Sequence, residues 1–84
     1  MKNVKYFTTQ DFYNACVLRA SNISLKRIFK ASHKFVVFIF DANEDTCSAI
    51  LKQHWDRTLQ LESRLLIETI NELKSRMYET LYEK

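Results

Sequence analysis

The sequence holds two cysteines and two histidines, Cys16, Cys47, His33 and His54, and metal or nucleophile chemistry would have to start from them. None forms the close pairs through which neighbouring ligands share a zinc ion. Cys47 and His54 are seven residues apart. A helix would put them on one face but about 10 Å from each other, too far for one ion. A Cys16/His33 dyad would supply nucleophile and base with nothing to orient the base. Both cysteines read more simply as small buried hydrophobes. The carboxylates offer no better constellation. Glu44-Asp45 suits the first turn of a helix. Glu68, Glu72, Glu79 and Glu83 fall on the solvated side of a last helix, where Glu72 stands four residues before Arg76. Glycine and proline are both absent. That removes phosphate-cradling loops, dinucleotide fingerprints and nucleophile elbows. The expectation is a protein that is not an enzyme, with no catalytic residues, no metal site and no small-molecule cofactor.

Binding chemistry is better represented. Lys26, Arg27, Lys30, His33 and Lys34 cluster in sequence, with Phe29 and Phe35 among them. A basic ribbon can follow a phosphate backbone, and an interleaved aromatic ring can stack on an exposed base. This makes Lys26, Arg27, Phe29, Lys30, His33 and Lys34 a candidate nucleic-acid surface. The plainer reading is a set of solubilising charges that keep a sheet edge from pairing with other chains. No helix-turn-helix glycine turn and no aromatic ribonucleoprotein signature accompanies them. The charge is uneven along the chain. Residues 1–34 carry seven Lys/Arg and one acid, whereas residues 35–84 carry six and nine. Such polarity is a footprint of an anionic partner.

These residues need elements to hold them. Lys34 to Asp41 encloses six consecutive β-branched or aromatic residues, the composition of a central strand. Ile23–Lys30 reads as the strand before it, with its alternation slipping at Lys26-Arg27, where a bulge would restore the phase. Ala31-Ser32-His33 then turns an antiparallel hairpin. Lys5-Tyr6-Phe7 reads as a short first strand. Thr8-Thr9-Gln10-Asp11 has the form of a capping box with Thr8 at N-cap, and Phe7 and Phe12 have the spacing of a hydrophobic staple. The helix that follows reaches about Ala20, with Phe12, Ala15, Cys16 and the stem of Arg19 inward. Asn22 ends it in place of the usual glycine. Asp41 or Asn43 caps a second helix, which packs on the sheet through Cys47, Ile50, Leu51 and His54/Trp55. Thr58–Leu61 is a loop or a short edge strand. From about Ser63 a last helix carries a stripe of Leu66, Ile70, Leu73, Met77 and Leu81, preceded by Leu61 at staple spacing from Leu66.

Four ordered pieces carry a resemblance: Tyr6-Phe7-Thr8-Thr9-Gln10-Asp11-Phe12, Phe38-Ile39-Phe40-Asp41, His54-Trp55-Asp56 and Leu73-Lys74-Ser75-Arg76-Met77-Tyr78. Together they resemble a family of short uncharacterised domains of bacteria and their phages, catalogued as a domain of unknown function. The resemblance covers nearly the whole chain. This sequence departs from it in two turns. It has Asp56-Arg57 where the family usually has Asn-Gly, and Asn22 where a helix-ending glycine is usual. The resemblance implies a phage or mobile-element origin and carries over no activity.

The whole reads as one domain, residues 1–84, of the α+β class. The order is β-α-β-β-α-α, a small antiparallel hairpin-centred sheet with helices packed on it. With no apolar run near the length of a membrane span and no apolar h-region at the start, a cytoplasmic protein is expected. The expected function is a small non-enzymatic binding module, with nucleic-acid binding through the basic hairpin as the alternative. If all helices lie on Val36, Phe38 and Phe40, then Phe35, Val37 and Ile39 face outward as an apolar row. Those three, with Tyr78 and Tyr82 beside the last helical stripe, form the candidate surface for a protein partner or a second copy of the chain.

Overall fold

Val36–Phe40 alternates buried and half-buried residues without a break, and every other element takes its place from that alternation. In the computed structural model, which describes residues 6–82, this strand is β3. It lies between β1 (Phe7–Thr9) and β2 (Leu25–Lys30) in a three-stranded antiparallel sheet of order β1-β3-β2. Phe7, Thr8 and Thr9 pair with Phe40, Ile39 and Phe38. On the other side Leu25 pairs with Phe40, and Arg27, Ile28, Phe29 and Lys30 pair with Ile39, Phe38, Val37 and Val36. The register shifts between Leu25 and Arg27. The extra residue is Lys26, where the broken alternation requires a bulge. The α+β order β-α-β-β-α-α and the hairpin are as the sequence predicts. Lys5, expected to open the first strand, and Glu83 lie outside the described residues.

Helix α1 (Phe12–Ala20) is the middle of the covering layer. It buries Ala15, Cys16, Val17, Leu18 and Ala20, so the turn Ala15–Leu18 is enclosed on every side, while Tyr13 in the first turn stays exposed. A helical turn that is apolar all round belongs inside. Helices α2 (Glu44–Trp55) and α3 (Ser63–Leu81) both pack against α1, and α3 also reaches β2 and β3. The core joins Ala15, Cys16 and Leu18 to Val36, Phe38, Phe40, Cys47 and Leu73. Full burial of one such phenylalanine or leucine contributes ~1.5–3 kcal/mol. The Cα atoms extend 40 × 40 × 17 Å. The thin direction accommodates one sheet and one helical layer at ~10 Å spacing and leaves no room for a third.

Several sequence expectations are corrected by these packings. The N-cap of α1 is Asp11, not Thr8: its side chain accepts from the Asn14 backbone N–H at 2.9 Å. Thr8 and Thr9 are strand residues, because their backbone completes the ladder to β3, and this pairing outweighs a three-residue-earlier cap. The Phe7–Phe12 staple therefore does not form in that frame; Phe12 is the first helical residue and its ring lies 6.3 Å from that of Phe38. The helix set on the sheet is α1 flanked by α3, whereas α2 packs chiefly on α1. Trp55 is 69% exposed and does not join the inner stripe of α2. Thr58–Leu61 is a loop.

Caps hold the layer in place. Asn43 caps α2 through the Thr46 N–H at 2.8 Å, with Glu44 and Asp45 in the first turn. Glu62 caps α3, accepting from the Leu65 N–H at 2.7 Å. Two helix ends use left-handed residues that are not glycine, Asn22 (φ 73°) and Arg57 (φ 66°). Both close Schellman motifs: Ile23 donates to Leu18 and Asn22 to Arg19, and Thr58 donates to Gln53 and Arg57 to His54.

Candidate functional site

A sheet with helices on one side has a second side. On β3 the residues between the core positions are Val37 and Ile39, and both are half-buried outside the core cluster. The register sets Arg27 and Thr8 beside Ile39 on this outer side, and Phe29 beside Val37. Phe35 continues the row one pleat further and is 43% exposed; Phe29 is 46% exposed. The candidate nucleic-acid residues and the candidate protein-interface residues, separate in sequence, therefore share one surface at Arg27, Phe29, Phe35, Val37 and Ile39.

The bulge decides which cations reach it. Without the extra residue, Lys26 and Arg27 would point to opposite faces; a bulge can turn both the same way. Arg27 lays its guanidinium over the Phe29 ring, 5.4 Å from the centroid. Lys26 holds its ammonium 5.2 Å from the ring centroid of Tyr6, which precedes β1. Contacts of this kind contribute ~0.5–1 kcal/mol at exposed sites. Their larger effect here is to fix two flexible cations beside flat rings. Among the described residues, neither Lys26 nor Arg27 is ion-paired. The acid at this end is Asp41, one residue past β3.

The remaining candidates are spread around this surface. Lys30 pairs with Val36 and so alternates toward the helical side, exposed at the hairpin end. His33 and Lys34 are exposed in the hairpin turn, where the Ser32 hydroxyl accepts from the Lys34 N–H at 3.1 Å. Tyr78 and Tyr82 stack on one another at 6.1 Å, and Tyr82 is 75% exposed. They are not isolated from the basic strand. A groove of about 650 Å³ runs between β2 and the end of α3, lined by Lys26, Arg27, Ile28, Arg76, Glu79, Thr80 and Tyr82. Arg76 in that groove is also 3.8 Å from Glu72. Neither Tyr6 nor Arg76 is among the candidate surface residues that the sequence offers. Tyr6 is signalled only by its place one residue before a strand that faces the bulge across β3, and Arg76 only by being one turn from Thr80 on the flank that meets β2.

The residues with nucleophile chemistry are elsewhere. Cys16 and Cys47 are free thiols within the core. Burial pushes the Cys16 thiol up to about 11, with the charge of Asp11 adding to it, and burial raises Cys47 as well. Both are thereby held as neutral thiols, the poorly nucleophilic form. Among the described residues no three His, Cys, Asp or Glu side chains gather as a metal site, and no helix is long and apolar enough to cross a membrane.

No curated protein and no solved structure matches this chain. One family model does match, over residues 4–79, which takes in the sheet, the bulged strand, α1, α2 and most of α3. The chain belongs to that family, the domain of unknown function DUF5659.

Proposed function

We propose that this protein is a non-enzymatic binding module, an accessory protein of a phage or mobile element, that holds its partner on the open side of its sheet. One observation carries the reading. All three described helices lie on the Val36/Phe38/Phe40 side, and the opposite side keeps large apolar side chains, Phe29 and Phe35, 46% and 43% exposed. A domain this small gains most of its stability from the apolar area it buries, so aromatic rings left outside a finished core suit recognition rather than folding. Two buried, protonated thiols support the non-enzymatic part.

Amide hydrogen exchange tests this directly. The tagged protein is incubated with clarified lysate of the organism that encodes it, recovered, and compared with the free protein. Slower exchange over residues 25–30 and 35–40 is the expected result. Unchanged exchange over both segments overturns the reading. A second reading is favoured by the stacked Tyr78–Tyr82 pair, which presents two exposed rings at the end of α3. On that reading protection falls on residues 76–82 alone, and Tyr78→Ala with Tyr82→Ala removes it.

A further inference from the structure

We infer that the partner of the open sheet side is single-stranded nucleic acid, with bases stacked on the aromatic row and phosphates led over the β2 edge into the groove beside α3. The inference rests on the reading of the open side as the binding surface and adds the chemistry of what binds there.

Charge is the first argument. The outward strand residues Thr8, Arg27, Phe29, Val37 and Ile39 include a cation and no acid. Lys26 joins them through the bulge, and Lys34 stands at the hairpin end next to Phe35. The groove adjoining this surface adds Arg76 to Lys26 and Arg27, against one acid, Glu79. Seven of the ten carboxylates lie on α2, on α3 or on the residues that cap them, Asp56 and Glu62. A second copy docked face to face would bring a second set of Lys26, Arg27 and Arg76 to this surface against the adjacent acids Asp41 and Glu79, so cations would stay in excess on both sides of the contact. An anionic partner has the opposite sign where it is needed.

Ring geometry is the second argument, and it selects among polyanions. Each of the two cations that the bulge presents is paired with a ring, Lys26 with Tyr6 and Arg27 with Phe29. Phe35 extends the row. Charge alternating with flat apolar surface matches a strand whose phosphates alternate with unpaired bases. A guanidinium held over a phenyl ring is itself a plane on which a base can stack. Duplex nucleic acid would satisfy the charges but offer no free base to the rings. An acidic peptide would likewise leave the row of rings without planar partners.

Fluorescence anisotropy of a labelled oligothymidylate of about 12 nucleotides, within the usual site sizes for single strands, provides the test. About three or four phosphate contacts give an affinity that falls roughly 20- to 50-fold between about 50 and 200 mM salt. Lys26→Glu with Arg27→Glu is expected to weaken binding at least tenfold and to flatten that salt dependence. Phe29→Ala and Phe35→Ala are each expected to weaken it by about fivefold or more with the salt slope unchanged. All four positions are exposed, so the variants are expected to fold, which circular-dichroism melts check. In the unaltered protein, amide shifts on adding the oligonucleotide are expected over residues 25–30, 35–39 and at Tyr82. Equal affinity for a duplex of the same length, or no effect of Phe29→Ala, overturns the inference. So does the absence of oligonucleotide binding when lysate still protects residues 25–40 after nuclease treatment; that outcome identifies a protein partner and leaves the binding-module reading standing. If neither oligonucleotide nor lysate affects the sheet, both fall.

Discussion

The two sides of β3 are built from the same kinds of residue and put to different use. Val36, Phe38 and Phe40 meet α1 and α3 and are at most 3% exposed. Val37 and Ile39, with Phe29 and Phe35 beside them, have none of the described helices over them and stand outside the core. Residue type does not separate the two sets, since both are aromatic and β-branched. Neighbours do. The covered side is met by apolar helix residues such as Ala15, Cys16 and Leu73, and the open side by Lys26 and Arg27. Apolar residues flanked by cations on an uncovered sheet suit recognition; the same residues under helices suit stability.

The largest effect should therefore come from exchanging equivalent substitutions between the sides. Phe38→Ala removes a side chain with no exposed surface and opens a cavity beneath α1, at a cost of about 3–5 kcal/mol. For a domain of this size that is a large share of the total stability. Phe29→Ala, one strand away on the open side, should cost only about 1 kcal/mol, the loss of its contact with the Arg27 guanidinium and of strand propensity. Urea unfolding midpoints of the two variants make the comparison. Equal losses would mean that the open side is a second core and would remove the basis for a binding role.

A smaller effect sharpens what lies on the covered side. Cys16 keeps its proton in the folded protein up to about pH 11, against 9.0 for an ordinary thiol. Between those values the folded state holds a proton that the unfolded chain has released. The contribution of Cys16 to stability is thus complete below about pH 9 and is lost as the pH rises to about 11. Melting temperatures of the native protein should fall across that window more steeply than those of Cys16→Ala, so the gap between the two narrows. Cys47, also raised by burial, leaves a residual slope in both. Parallel curves would place Cys16 in contact with solvent.

The sheet was legible in the sequence because strands write their environment in a period of two. The slip at Lys26-Arg27 marked the bulge, and the apolar run 35–40 marked the central strand. The positions of the helices were less legible. Ala15-Cys16-Val17-Leu18 offers no amphipathic stripe, and only tertiary enclosure explains it: α1 is covered by α2, α3 and the sheet at once. The cap of α1 was misplaced because Thr8 and Asp11 can both cap a helix locally, and the choice is made by strand pairing thirty residues downstream. As for the candidate surface, its residues were legible by type but not its unity. Which face Arg27 and Phe29 share with Val37 and Ile39 follows from register, and the groove with Arg76 and Tyr82 follows from where α3 crosses β2.

The smallest effect asks whether the two sides are independent. Asn22 and Arg57 end helices of the covered layer in left-handed backbone that costs most side chains energy. Asparagine tolerates it, since its short amide can satisfy the local backbone. Arginine has no such compensation: Arg57 is exposed, and among the described residues its side chain makes no hydrogen bond or ion pair. Arg57→Gly should therefore raise stability by about 0.5–1 kcal/mol, the relief of strain exceeding the added freedom of the unfolded chain. Asn22→Gly should gain a few tenths at most. Thermal melts read both. Because the Arg57 turn belongs to α2, which rests on α1 rather than on the sheet, the gain should leave oligonucleotide affinity unchanged. An affinity that moved with Arg57→Gly would mean that the helical layer sets the shape of the open side, and the contrast between a stabilising face and a binding face would have to be replaced by a single coupled structure.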